Sequence, residues 1–216
     1  MPPKISVLML VGPDPPYLQE ALESLEKQTF QDFEILQQRE RGIVAARNAG
    51  CRRARGKYIA ILDSDDIAHP QRFERQVEYM ERHPDVSVVG SWCRLFGSWG
   101  PIRGGMRRSK ILTPPVKVTA GLNLMWARIP NSSAMMRRDD VLPFGPYRDV
   151  MLEDYDLWIR LLRSGKKLAN IPEVLVSLRA HDTNHSKILN QSQVLRNEIY
   201  ERFTVFKFWA RSPSGG

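Results

Sequence analysis

From Ile5 to Val89 the apolar residues fall in short runs separated by polar, Gly- and Pro-rich breaks. Ile5 to Val11 is nearly continuous apolar sequence, the pattern of a strand covered on both faces. Gly12-Pro13-Asp14-Pro15-Pro16 breaks it, and Asp14 is placed to cap a helix whose inward face is Tyr17, Leu18, Ala21, Leu22 and Leu25. Phe33 to Leu36 predicts a second strand, Ile43 to Ala54 a helix of small residues closed by Gly56, and Tyr58 to Leu62 a third strand. Phe73, Val77 and Met80 mark a further helix, and Val86 to Val89 a further strand. Such alternation predicts an α/β fold with a largely parallel central sheet flanked by helices.

After Phe96 the pattern loosens. Gly97 to Gly105 is turn-rich and Pro114-Pro115 breaks the chain again, which predicts a loop. Asp156 to Ser164 then reads as helix and Val174 to Leu178 as strand. From Gln191 to Trp209 a helical stripe of Leu195, Ile199, Phe203 and Phe206 appears, ahead of a polar tail from Ser212 to Gly216.

The 216 residues, 42% hydrophobic and 26% charged, fit a soluble globular chain of one domain with a tail, not a disordered one. No apolar run is long enough to span a bilayer, and Met1-Pro2-Pro3-Lys4 leads into a strand rather than a secretory leader. Cys51 and Cys93 fit neither a disulfide framework nor a metal motif. A cytoplasmic location is the expectation, with peripheral contact at the inner membrane face as an open extension.

The net charge is +8. Arg52, Arg53 and Arg55 end a predicted helix, where cations complement the dipole. Arg103, Arg107, Arg108 and Lys110 lie in a Gly-rich stretch with no such structural reason. No nucleic-acid motif accompanies the charge, so nucleic acid is not an expected partner; an anionic small substrate or an anionic membrane surface accounts for it as well.

The chain's densest chemistry is Asp63-Ser64-Asp65-Asp66, directly after the third strand. Acids at the carboxyl end of a strand in an α/β sheet sit where ligands usually bind. Close carboxylates repel unless a cation or hydrogen bonds offset the repulsion, and hard divalent ions take carboxylate and phosphate oxygens. One reading is a metal–diphosphate site; the other is a solvated acidic turn capping the next helix.

Six blocks in register resemble the family 2 inverting glycosyltransferases with the GT-A fold. They are Ile5-Ser6-Val7-Leu8-Met9; Leu22 through Phe30; Arg41-Gly42-Ile43-Val44-Ala45-Ala46-Arg47-Asn48-Ala49-Gly50; Leu62-Asp63-Ser64-Asp65-Asp66, similar to the family's DXD signature; Glu153-Asp154-Tyr155-Asp156-Leu157-Trp158; and Ser177-Leu178-Arg179-Ala180-His181. The resemblance implies a GT-A domain over 1–187, with a shortened Rossmann-like nucleotide half (1–96) and a mixed acceptor half (97–187). A C-terminal amphipathic helix (188–211) and a flexible tail (212–216) would follow.

The resemblance also implies roles. Asp63 would hold the donor's ribose, with Val11, Ser64 and Arg47 at the nucleotide sugar; Asp65 and His181 would approach Mn²⁺ or Mg²⁺ at the diphosphate. Asp154 would be the general base, with Glu153 beside it. The donor would be a UDP-sugar and the acceptor the hydroxyl of a saccharide or lipid-linked saccharide. On the residues alone, Asp154 could instead cap its helix. The last helix could pack on the domain, on a second subunit or on a membrane surface.

The family usually ends its second strand in an Asp-Asp-Gly-Ser type turn that contacts the uracil. Here Phe33-Glu34-Ile35-Leu36 runs almost at once into Gln37-Gln38-Arg39-Glu40-Arg41-Gly42. A parallel crossover needs a dozen or more residues, so about one strand–helix unit is absent. Arg107 and Arg108 could close over the diphosphate in compensation. The alternative reading is a non-catalytic nucleotide- or sugar-binding protein on a degenerate scaffold.

Overall fold

The computed structural model describes residues 1–97, 111–118, 129–150 and 152–180. The predicted basic loop, His181 and the C-terminal helix and tail lie outside the described residues. Met1–Phe96 with Arg107–Arg179 form one unit, and Gly97–Met106 with Ala180–Gly216 a second, of which only Gly97 and Ala180 are described.

In the first unit the opening apolar run is β1 (Ile5–Leu10), followed by α1 (Leu18–Glu26), β2 (Phe33–Gln38), α2 (Ile43–Arg53) and β3 (Tyr58–Ile61). β1 pairs in parallel with β2 on one side and with β3 on the other. After a short β4 (Ile67–Ala68) and α3 (Arg72–Arg82) comes β5 (Val86–Gly97). Two short strands, β6 (Ile111–Leu112) and β7 (Lys117–Val118), precede β8 (Met135–Arg137), α4 (Arg138–Val141), α5 (Glu153–Arg163) and β9 (Lys167–Ala180).

The sheet order is β2-β1-β3-β8-β5-β9-β4. β8 is antiparallel to both β3 and β5, so β5 runs in the same direction as β3. Four strands therefore share one direction, and a reversed strand is inserted among them; this is the expected largely parallel sheet with a mixed second half. No helix among the described residues is long and apolar enough to cross a membrane.

Period-2 alternation divides the core into two layers. On β1, Ile5, Val7 and Met9 face Ala21 and Leu25 of α1 and Phe73, Val77 and Met80 of α3; Tyr58 and Ala60 of β3 and Leu62 just after it belong to the same layer. Leu8, Ile59 and Ile61 face the other layer, with Cys51 of α2 and Leu157, Trp158 and Leu161 of α5. Continuous apolar strands are what this arrangement requires, because both faces are covered.

Several expected boundaries move. Asp14 does not cap α1, which begins after Tyr17 with no side-chain cap. α2 ends at Arg53 with Ala54 as its cap, so Gly56 does not close it. Gly56 is instead a place of close approach: a Cβ there would lie 2.6 Å from the backbone nitrogen of Ser6. β9 starts well before Val174, because Lys167, Asn170, Pro172 and Glu173 interrupt its apolar pattern. The sheet ends at β2, which passes to α2 through Arg39–Gly42 alone, in keeping with the missing strand–helix unit.

Candidate active site

β3 delivers the acidic residues. Its apolar run stops at Leu62, and the Asp66 N–H donates to the Asp63 carbonyl (3.1 Å) to close a turn. The Asp63 N–H donates to Ser132 Oγ at 3.0 Å, fixing the turn against the segment that enters β8. Asp66 is only 5% exposed and accepts the backbone N–H of Arg179 at 2.8 Å. It caps nothing: α3 begins at Arg72, after Gln71, with no side-chain cap. The reading as a solvated capping turn is therefore corrected, since a buried carboxylate bonded to a distant strand is not a helix cap.

Asp63 keeps some accessible surface, but the protein around it is dense enough that burial raises its carboxyl above the usual range. Arg47 and Arg72 pull it down, and Asp65 and Asp154 push it up. Burial raises Asp66 further, with Asp63 and Asp65 adding repulsion against the Ser132 hydroxyl and the Arg179 N–H. Three acids on one turn are thus in electrostatic contact with each other, and Asp63 also with Asp154, from a segment about ninety positions away.

α2 brings Arg47 to this turn. Close contact with the sheet is possible because residue 50 is glycine: a Cβ there would sit 2.2 Å from Leu8 Cδ1. Arg47 forms an ion pair with Glu153, the two side chains being 8% and 15% exposed. Its guanidinium lies 5.3 Å from the Tyr147 ring centroid. Asn48, the next residue, spends both ends of its amide on the Tyr147 backbone, Nδ2 donating to the carbonyl (2.7 Å) and Oδ1 accepting the N–H (3.0 Å). Burial raises the Tyr147 phenol.

α5 supplies the remaining acids. It starts three residues earlier than the apolar pattern suggests, after Leu152 in the left-handed region (φ 58°), a conformation that costs a non-glycine residue about 1 kcal/mol or more. Glu153 and Asp154 lie inside its first turn, and Leu152 holds the cap position, so Asp154 is not the N-cap. Asp154 Oδ1 does accept the N–H of Tyr155 at 2.8 Å. Arg160 ties the helix to the preceding loop, binding Asp156 (2.7 Å) and the carbonyls of Phe144 (2.8 Å) and Pro146 (2.7 Å).

Of the residues expected at the site, Arg47, Asp63, Ser64, Asp65, Glu153 and Asp154 come from three segments whose charged members interact. Val11 follows β1 as a buried core residue whose N–H donates to the Gln38 carbonyl (2.9 Å). Arg107, Arg108 and His181 fall outside the described residues. Two arginines were not anticipated. Arg72 is fully buried behind the acidic turn, bonded to the Ile61 carbonyl (2.7 Å) and to Gln76 (3.0 Å). Burial pushes its pKa down to about 10, while its charge acts on Asp66 and Asp63. Arg179 binds the same turn from β9. Neither carries a sequence signal of its own, since both look like surface cations at the edge of an apolar element.

The residues present fit a hard divalent cation. Mg²⁺-type sites take one or two carboxylates and complete their shell with substrate phosphates, and an acidic turn at a strand end supplies that donor set. Among the described residues no group of three or more His, Cys, Asp or Glu side chains is assembled to hold a metal ion.

The chain is similar to known glycosyltransferases in sequence and in fold. The chain is 29% identical over 239 residues to the uncharacterized glycosyltransferase MJ1057 of Methanocaldococcus jannaschii, covering 96% of this chain and 80% of that one. It is 27% identical over 212 residues to the UDP-Gal:alpha-D-GlcNAc-diphosphoundecaprenol beta-1,3-galactosyltransferase of Escherichia coli, covering 82% and 74%. In fold it resembles the mannosyltransferase PcManGT of Pyrobaculum calidifontis, solved with GDP-Man and Mn²⁺, at a TM-score of 0.61 and 14% identity. That match covers 87% of this chain and 60% of the solved one. Residues 14–147, which include Arg47 and the acidic turn and stop just short of Glu153 and Asp154, match the pattern of Glycosyl transferase family 2, and the chain belongs to that family.

Proposed function

We propose that this chain is a metal-dependent inverting glycosyltransferase that moves a sugar from a UDP-sugar to a hydroxyl of a saccharide or lipid-linked saccharide. The observation that carries the reading is the Arg47–Glu153 ion pair. It joins α2 to the first turn of α5 and so sets Asp154 within electrostatic reach of Asp63. The E. coli relative's name includes a UDP-sugar and a lipid diphosphate acceptor, which supports those two classes. PcManGT was solved with Mn²⁺, which supports the metal.

Asp63 receives the nucleotide end of the donor and Asp65 faces the diphosphate. Asp65 would hold Mn²⁺ or Mg²⁺ there, and the ion would supply positive charge to the leaving nucleoside diphosphate. Asp154 takes the proton of the acceptor hydroxyl as it attacks the anomeric carbon from the face opposite the leaving group, which gives inversion. Glu153 stays on Arg47 and fixes the start of α5, leaving Asp154 to turn toward substrate. Asp154→Asn is expected to cut turnover by about 10²–10⁴-fold with donor binding preserved. Full turnover in that variant would remove the base assignment.

The second reading, a binding protein without catalysis, draws on the sheet that ends at β2, where the family's uracil-contacting turn would stand. UDP binding without turnover of any sugar nucleotide would favour it.

A further inference from the structure

Arg179, near the end of β9, makes more separate contacts to the acidic turn than any strand-holding role needs. Its backbone N–H donates to Asp66 Oδ1 (2.8 Å) and its Nε to the Asp65 carbonyl (2.9 Å). Its Nη2 donates to Glu20 Oε2 (2.7 Å) in the first turn of α1. The guanidinium carbon lies over two aromatic rings, 4.0 Å from the Tyr17 centroid and 4.5 Å from that of Phe96. Although it carries a full charge, the side chain is only 11% exposed.

β9 does not need this fork to stay in the sheet. Its ladder with β4 pairs Ser177 with Ile67 and Val176 with Ala68, and its ladder with β7 pairs Ala169 with Lys117. What the fork adds is a connection between three strand-end segments: the start of α1, the acidic turn and the end of β9. We infer that Arg179 is a positioning residue: it fixes the Asp65 peptide between α1 and β9, and thereby the direction in which the Asp65 carboxylate meets a metal–diphosphate. The inference rests on the proposed reading of that turn as the donor site.

A lysine cannot replace it. The ammonium is a compact point charge, whereas the guanidinium donates from Nε and Nη2 while it also lies over two rings. If only positive charge mattered, Arg179→Lys would behave as the wild type.

Two measurements on the full chain test this separately. Hydrogen exchange reports whether the turn is held, and calorimetry with Mn²⁺ and UDP reports whether holding it matters. In Arg179→Lys and Arg179→Met, amide exchange at Asp65, Asp66 and Ile67 is expected to rise about tenfold, with β1 amides unchanged. The Kd for UDP in the presence of Mn²⁺ is expected to rise about tenfold, the effect of losing one charge-assisted hydrogen bond. The kcat at saturating Mn²⁺ and donor changes by less than about threefold, a split that a general loss of structure would not give. Tyr17→Leu removes one stacking face without touching the fork's hydrogen bonds. It moves both readouts in the same direction by about threefold and keeps the test open should the Arg179 variants fail to fold. Unchanged turn exchange in Arg179→Lys, or faster exchange with unchanged UDP affinity, overturns the inference. Faster exchange in a protein whose wild type does not bind UDP leaves the positioning role in place and removes the donor reading instead.

Discussion

Breaking the Arg47–Glu153 pair from one side should be costly, and breaking it from both sides should not. The two side chains are 8% and 15% exposed, so each charge is largely desolvated and depends on the other. Removing one partner of a buried pair typically costs ~3–5 kcal/mol, because the survivor is left uncompensated. Here the survivor has help: Arg47 also acts on Asp63, which lies beside Asp65 and Asp154. That places Glu153→Gln at or just below the bottom of that range, about 2–3 kcal/mol, or roughly 4–12 °C in Tm for a domain of this size. Arg47→Met leaves the Glu153 carboxylate, only 15% exposed, without the guanidinium that pairs with it, and should cost at least as much. The double variant Arg47→Met/Glu153→Met removes both charges and fills the space, so it should be more stable than either single variant, with a coupling of about 2 kcal/mol. Urea denaturation of the four proteins at pH 7 closes the cycle. Single-variant costs below about 0.5 kcal/mol, or simple additivity, would refute the idea that this pair holds α5 to α2.

Further outcomes follow from other parts of the structure. Gly50→Ala forces a methyl against Leu8 Cδ1, 2.2 Å from the new Cβ, and should destabilise by about 1–3 kcal/mol while lowering donor affinity through α2, seen in melts and UDP titration. Glu81 is held down to about 2 by its hydrogen bonds to Lys4 and Lys57, below the ordinary 4.5. A depressed carboxyl contributes stability that is present above the unfolded pKa and is lost as pH falls through the folded one. Glu81→Gln should therefore flatten the acid limb of stability between about pH 4.5 and 2, and an unaltered limb would contradict it. Burial pushes the Cys51 and Cys93 thiols up to about 12, so neither should react with a thiol reagent at pH 8 until urea exposes both. Rapid labelling of the native protein would count against the core described.

The elements that carry the fold were legible because they are apolar on both faces. β1 and β3 are continuous runs, and α1 and α3 show one-sided stripes, so periodicity alone located them. Boundaries set by side-chain chemistry were not. Asp14 looked like a cap and is none, and Asp66 looked like a capping or solvated acid and is buried against β9. α5 begins at Glu153, ahead of its apolar stripe, because a left-handed Leu152 starts it and local sequence gives no sign of that. Within the site, the acids and Arg47 could be read from their order along the chain. Arg72 and Arg179 could not, because what makes them matter is burial and partners more than ten and more than a hundred positions away, and no window along the sequence reports either.

In the proposed function, the turn after β3 and the first turn of α5 form one site that separates a sugar from a nucleoside diphosphate. Hydrolysis of UDP-sugars in the presence of Mn²⁺ needs no knowledge of the acceptor and tests this directly. Slow Mn²⁺-dependent release of UDP by the wild type, lost in Asp65→Ala and reduced by about 10²-fold or more in Asp154→Asn, is the predicted result. Release that ignores the metal, or survives unchanged in both variants, would contradict it.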